Sequence, residues 1–135
     1  MTDRELVAAA MEMLPKAYAP YSRFPVGAAL RCTDGTVFTG CNVENAAYGV
    51  SICAERTALV KAVSEGRREF EVLAVAGTGG EYCWPCGVCR QMLFEFAPEL
   101  MVLAARGDGE FVKMTLKELL PCGFGPQNLV SAAQN

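Results

Sequence analysis

The sequence predicts an α/β domain in which a five-stranded mixed sheet, its last two strands antiparallel, lies between helices in a three-layer α/β/α arrangement. Three observations carry this prediction. Segments with helical periodicity alternate with apolar runs of strand length, in the order helix, hairpin, helix, strand, helix, hairpin. Two Asp-Gly pairs, at 34–35 and 108–109, each join two strand-like runs too directly for the crossover that parallel neighbours need. The 135 residues are 52% hydrophobic and 20% charged, enough apolar material for one core and short for two.

The elements follow in order. Thr2 and Glu5 fit a capping box, and Leu6, Val7, Ala10, Met11 and Leu14 then recur at helical spacing, so the first helix should run on and stop before Pro20. The loop PYSRF leads into VGAALRC, a strand for a buried setting. Asp34-Gly35 is a two-residue hairpin signal, with a second strand near TVFTGC. NVENAAYGVSI has no clear period and reads as a loop. From Cys53 the pattern turns helical, with Ala54, Ala58, Leu59, Ala62 and Val63 on one stripe and Gly66 as the stop. FEVLAVAG is a buried strand. A second loop delivers PCGVC into a helix that runs through about Phe96 and is closed by Pro98. LMVLAA, the second Asp-Gly turn, EFVKM and a short helix at TLKELL complete the chain. With no repeat, low-complexity tract or linker, residues 1–135 read as a single domain.

Composition narrows the function. No apolar run approaches the roughly 18 residues of a membrane helix, and Asp3, Glu5 and Glu12 interrupt any signal-peptide core, so no membrane role and a cytoplasmic location are expected. In that compartment the seven cysteines are thiols or metal ligands rather than a disulfide framework. A net charge of −3, with only Arg56 and Arg90 beside the cysteine motifs, argues against nucleic acid as the partner. The chain contains no histidine, which removes every mechanism that needs one and leaves acid–base work to Glu, Asp, Lys, Tyr or Cys.

Two motifs remain. Cys86-Gly-Val-Cys89, at a helix start, puts two sulfurs on one face, where the free N–H groups favour thiolate; it suits a metal site or a redox couple. Cys53-Ala54-Glu55-Arg56, at another helix start, supplies a third sulfur. Three thiolates are one short of a tetrahedral set. A structural zinc site would be closed by a fourth cysteine such as Cys83 or Cys41, whereas a catalytic one leaves that position to water. If Cys53 is a helix cap, Glu55 can approach the site without binding the metal and can move a proton there; otherwise it is a solvated carboxylate of a first helical turn. Three thiolates around Zn²⁺ leave a net −1, so such a site needs a compensating cation, and Arg56 is the candidate.

Together, CAERTA at 53–58 and PCGVCRQ at 85–91 closely resemble the zinc-dependent cytidine deaminases, small homotetrameric branch, whose class includes an all-cysteine zinc site. The resemblance extends to AYAPYSRFPVGAAL at 17–30, GCNVENAAYG at 40–49, KAVSEG at 61–66 and LLPCGFGPQNL at 119–129. It implies the cytidine deaminase-like three-layer fold and one Zn²⁺ per subunit on Cys53, Cys86 and Cys89, with water as fourth ligand. It also implies Glu55 as the proton-transferring catalytic residue and Arg56 as the group that moderates the thiolate charge. The activity implied is hydrolytic deamination of free cytidine and deoxycytidine to uridine and deoxyuridine, with release of ammonia, in pyrimidine salvage. Phe24, Asn42, Glu44 and Ala54 are the implied substrate contacts, Asn42 and Glu44 to the sugar. Tyr48 and Phe124 match positions that reach a neighbouring subunit, which implies a homotetramer with shared active sites. A deaminase for a cytosine-containing antibiotic fits less well, because NVEN, KAVSEG and the C-terminal segment resemble the cytidine enzymes. Trp84, preceded by Cys83, departs from the small residue common in the family and bears on the entrance loop; Cys83, Cys32, Cys41 and Cys122 are expected to be spectators.

Overall fold

A computed structural model describes residues 1–129. Strands β1 (Val26–Cys32), β2 (Val37–Cys41), β3 (Phe70–Gly77), β4 (Met101–Ala105) and β5 (Phe111–Thr115) form one sheet in the order β2-β1-β3-β4-β5. The predicted antiparallel pairing of the last two strands is present, Met101 facing Thr115 and Ala105 facing Phe111. Only β3 and β4 are parallel, and the helix between them supplies the required crossover.

Helix α1 (Asp3–Met11) covers one face, and α2 (Ala54–Ser64), α3 (Gly87–Phe96) and the short α4 (Leu116–Leu119) cover the other. Side-chain alternation along β3 divides the core accordingly. Val72, Ala74 and Ala76 pack with Leu6, Val7 and Ala10 of α1, whereas Leu73 and Val75 pack with Ala58, Leu59 and Leu93 of α2 and α3. The register shifts between Arg31 and Cys32, leaving Glu71 unpaired in β3 and turning Phe70 to the side of Leu73.

The sequence reading needs three adjustments. Helix α1 ends at Met11 rather than running on towards Pro20, and Leu14–Lys16 forms a separate 3-10 turn. Pro15 is the reason: it has no N–H to give to the helix ladder, and its ring would clash with the carbonyl four residues back, that of Met11. Both hairpins have three-residue rather than two-residue loops. In each, the Asp carboxylate accepts from the N–H two residues on and Gly35 or Gly109 takes a positive φ of about 90°. The 42–52 segment is partly ordered by backbone pairing, Val43 bridging both Tyr18 and Ile52, with a 3-10 turn at Tyr48–Val50.

One close approach positions the functional face. A Cβ on Gly40 of β2 would lie 2.4 Å from the Ala54 carbonyl oxygen and 2.6 Å from the Ala58 nitrogen. The first turn of α2 therefore rests directly on the β2 backbone, and any larger residue at position 40 would lift it.

Candidate metal and catalytic site

The two cysteine motifs converge because each opens a helix on the same face of the sheet. Cys53 is the N-cap of α2 and Cys86 the N-cap of α3, both with extended backbone and neither using its side chain as a cap. Their sulfurs are thereby free to turn towards one another, and Cys89, three residues on, lies on the facing side of the first turn of α3. The Cys53 and Cys86 sulfurs are 3.7 Å apart, those of Cys86 and Cys89 3.4 Å, and all three lie within 4.8 Å. These separations exceed the roughly 2.05 Å of a disulfide. They approach the edge of about 3.8 Å expected for a tetrahedron with zinc–sulfur bonds near 2.3 Å. The donor set therefore fits a soft, four-coordinate ion, and two helix N-termini aim their positive ends at it.

The CxxC turn is anchored from behind. Pro85 is fully buried, and Arg90 donates from Nε to the Pro85 carbonyl (2.7 Å) and from Nη1 to that of Leu119 (2.9 Å). This bracing role was not visible in the sequence, where Arg90 reads only as a cation beside a motif.

Arg56 lies where charge compensation requires it. Its Nη2 is 3.7 Å from the Cys53 sulfur and donates to the Ser51 carbonyl at 3.2 Å, while its Nε is buried without a partner among the described residues. Hydrogen bonds from Cys89, Arg56 and Cys86 pull the Cys53 thiol down to about 5, and its donor Cys89 is pushed up. Glu55, on the first turn of α2, is only 4% exposed yet stands outside the sulfur trio. Burial, reinforced by the Cys53 charge, pushes its carboxyl up to about 7. It is not the solvated first-turn carboxylate that was the alternative.

A cavity of about 260 Å³ opens onto this arrangement, lined by Phe24, Asn42, Ala54, Glu55 and the sulfur-bearing Cys53 and Cys86, with Ser22, Val26, Cys83 and Trp84. Asn42 and Glu44 both turn towards the 21–26 segment. Asn42 accepts from the Val26 N–H (2.8 Å) and donates to the Phe24 carbonyl (2.9 Å), fixing the start of β1. Glu44 accepts from the N–H groups of Tyr21 (3.0 Å) and Ser22 (3.1 Å) and from the Ser22 hydroxyl, and these bonds, the hydroxyl foremost, hold its carboxyl below the usual range. It lines an adjoining cavity of about 380 Å³ with Tyr21, Ser22, Tyr48 and Ser51. Tyr48, 74% exposed, meets the Tyr21 ring edge-on at 5.7 Å. Phe124 is 55% exposed and lines neither cavity; its carbonyl accepts from the Gln91 side chain.

Ser22 and Val26 are lining residues that sequence reasoning missed, whereas Trp84, expected to bear on the entrance loop, lies in the cavity wall. Cys83 lies outside the trio and packs against the core, where it also forms part of the cavity wall, and burial pushes its thiol up to about 12. Cys32 is core, Cys41 donates to the Lys16 carbonyl, and Cys122 is exposed. No described helix is long and apolar enough to cross a membrane.

The chain is similar to known proteins over most of its length. The family pattern described as the cytidine and deoxycytidylate deaminase zinc-binding region matches residues 1–105. A cytidine deaminase of Sporosarcina psychrophila is 44% identical over 135 residues, covering 99% of each chain. One from Halalkalibacterium halodurans is 45% identical over 129 residues, covering 94% of this chain and 98% of its own. The crystal structure of cytidine deaminase from Burkholderia pseudomallei superposes with a TM-score of 0.89 at 48% identity, over 92% of this chain and all of the other.

Proposed function

The chain belongs to the family of the cytidine and deoxycytidylate deaminase zinc-binding region, and from that premise we propose that it hydrolyses free cytidine and deoxycytidine to uridine and deoxyuridine, releasing ammonia. The observation that carries the proposal is the pairing of three sulfurs at tetrahedral-edge spacing with a buried carboxyl outside the trio, both on one cavity.

Cys53, Cys86 and Cys89 would hold one zinc ion per subunit. Bound there, zinc supplies a Lewis acid that makes water nucleophilic at neutral pH. The remaining work belongs to the chain. Glu55 takes a proton from the attacking water and delivers it to N3 of the ring, then takes the second proton from the new C4 hydroxyl and passes it to the departing amine, leaving the C4 carbonyl. A carboxyl lifted towards neutrality suits both directions of that transfer. Arg56 offsets the charge of Cys53, so that three thiolates do not cancel the electrophilicity of the site. Phe24 offers an apolar wall to the base, and Ala54 leaves room beside it. Asn42 and Glu44 receive the sugar; Glu44, kept ionised by its Ser22 and Tyr21 bonds, accepts hydroxyl hydrogens.

Residues 1–135 act as one catalytic domain, of which 130–135 lie outside the described residues. The exposure of Tyr48 and Phe124 supports the further proposal that they complete the sites of neighbouring subunits in a homotetramer. A net charge of −3 supports a free nucleoside rather than nucleic acid as substrate, and pyrimidine salvage in the cytoplasm as the setting. The test pairs zinc content with cytidine turnover on one preparation. Glu55→Ala is expected to keep its zinc and lose about 10²–10⁴-fold in kcat. Loss of zinc with that substitution would undo the assignment of Glu55, and faster turnover of blasticidin S than of cytidine would redirect the substrate.

A further inference from the structure

Three cavities lie in series along the functional face, and each neighbouring pair shares a single lining residue. The Glu44 cavity and the metal-site cavity share Ser22 alone. At the other junction, the metal-site cavity and an outer cavity lined by Gly80, Glu81, Tyr82 and Arg106 share only Trp84. The outer cavity is a built feature. Arg106 stacks over the Tyr82 ring at 5.0 Å and pairs with Asp108 at 3.1 Å, while the Cys83 N–H bonds to the Ala105 carbonyl. Trp84 itself packs against the core beneath α2 and α3, so it is a fixed partition.

The shape of the substrate class gives this partition a role, on the deaminase reading above. In a cytosine nucleoside the sugar is on N1 and the amine on C4, at opposite corners of the ring. With the sugar directed to Ser22 and Glu44, the amine is directed to the far junction. C4 must also lie beside the sulfur trio, and Trp84 is two residues from Cys86 in the same wall. We propose that Trp84 closes the leaving-group end of the cavity and is the specificity-determining residue that limits the size of the amine expelled. Shortening it joins the metal-site cavity to the outer one and admits substituents on the exocyclic nitrogen.

The test compares cytidine with N4-methylcytidine, which reacts with water to give uridine and methylamine: the C4–N bond breaks, a C4–O bond forms, and the departing nitrogen takes the proton. Wild type, Trp84→Phe and Trp84→Ala are assayed for kcat/KM on both substrates, with zinc content and uridine inhibition alongside. The ratio for N4-methylcytidine over cytidine is expected to rise about 10- to 200-fold in Trp84→Ala, the range that one methylene is worth in an apolar pocket, with Trp84→Phe between. Zinc content should stay at the wild-type level, and uridine inhibition, which involves no N4 substituent, should change by less than the ratio does. Parallel loss on both substrates at an unchanged ratio would show a purely structural role and overturn the inference. Should Trp84→Ala fail to fold, an unchanged ratio in Trp84→Phe has the same force. A zinc-loaded wild type inactive on cytidine would overturn the deaminase reading, and this inference with it.

Discussion

Replacing Gly40 by alanine should loosen the metal site without touching any of its ligands. The new Cβ would stand 2.4 Å from the Ala54 carbonyl oxygen and 2.6 Å from the Ala58 nitrogen, both backbone atoms of α2 that cannot rotate away. Ordinary contact begins near 3.4 Å, so the first turn of α2 must retreat by about 1 Å. Cys53 caps that turn and moves with it, whereas Cys86 and Cys89 ride on α3 and stay. Metal–ligand bonds tolerate only about 0.2 Å of misfit, so the tetrahedral spacing of the trio is spoiled. Overpacking of this kind costs about 1–3 kcal/mol, and the loss of ligand alignment should weaken zinc about 10–100-fold. Chelator competition reads the affinity and thermal melting the stability. Gly49→Ala, at a position with open space around it, serves as the control. Unchanged affinity and melting in Gly40→Ala would refute the argument that β2 sets the height of α2 and thereby the position of Cys53.

Two further outcomes follow from side chains around the site and at the helix ends. Arg56→Gln should retain one zinc per chain but lower kcat about tenfold, because the Cys53 sulfur loses its charged donor; Arg56→Lys should recover part of the loss, and an unchanged kcat in Arg56→Gln would remove the compensating role. Thr115 and Glu118 cap α4 reciprocally, and the bonds from Thr115 hold the Glu118 carboxyl below its ordinary 4.5. A depressed carboxyl contributes stability that is complete above 4.5 and disappears as pH falls through the lowered value, so Glu118→Gln should show a smaller drop in melting temperature between neutral and acid pH than wild type.

Much of the fold was legible because its signals are local. The capping box at Thr2, the stripe on α2 with its Gly66 stop, and the short turn that forces β4 against β5 each depend on a few neighbouring residues. The length of α1 was misread because Pro15 outweighs the periodicity that Leu14 continues. The hairpin loops were misjudged by one residue because Asp-Gly serves equally in a two-residue turn and in a three-residue turn with the glycine at positive φ. At the candidate site, the three clustered cysteines and Glu55 carry their chemistry in their own identity and spacing. Trp84, Val26 and Ser22 do not. Their place on the cavity depends on how the loops before β1 and α3 lie over the sheet, and Arg90 braces the site through a carbonyl 29 residues away.

The two cap cysteines are also far apart along the chain, 33 residues from Cys53 to Cys86, and the segment between them includes all of β3, the middle strand of the sheet. An ion held by both sulfurs is therefore a cross-link that closes a loop around the centre of the domain. If it restricts the unfolded chain as a covalent bridge would, a loop of that size contributes about 3–4 kcal/mol of folding stability. A metal held there would fasten the scaffold as well as equip the proposed active site, and its removal should cost rigidity along with reactivity.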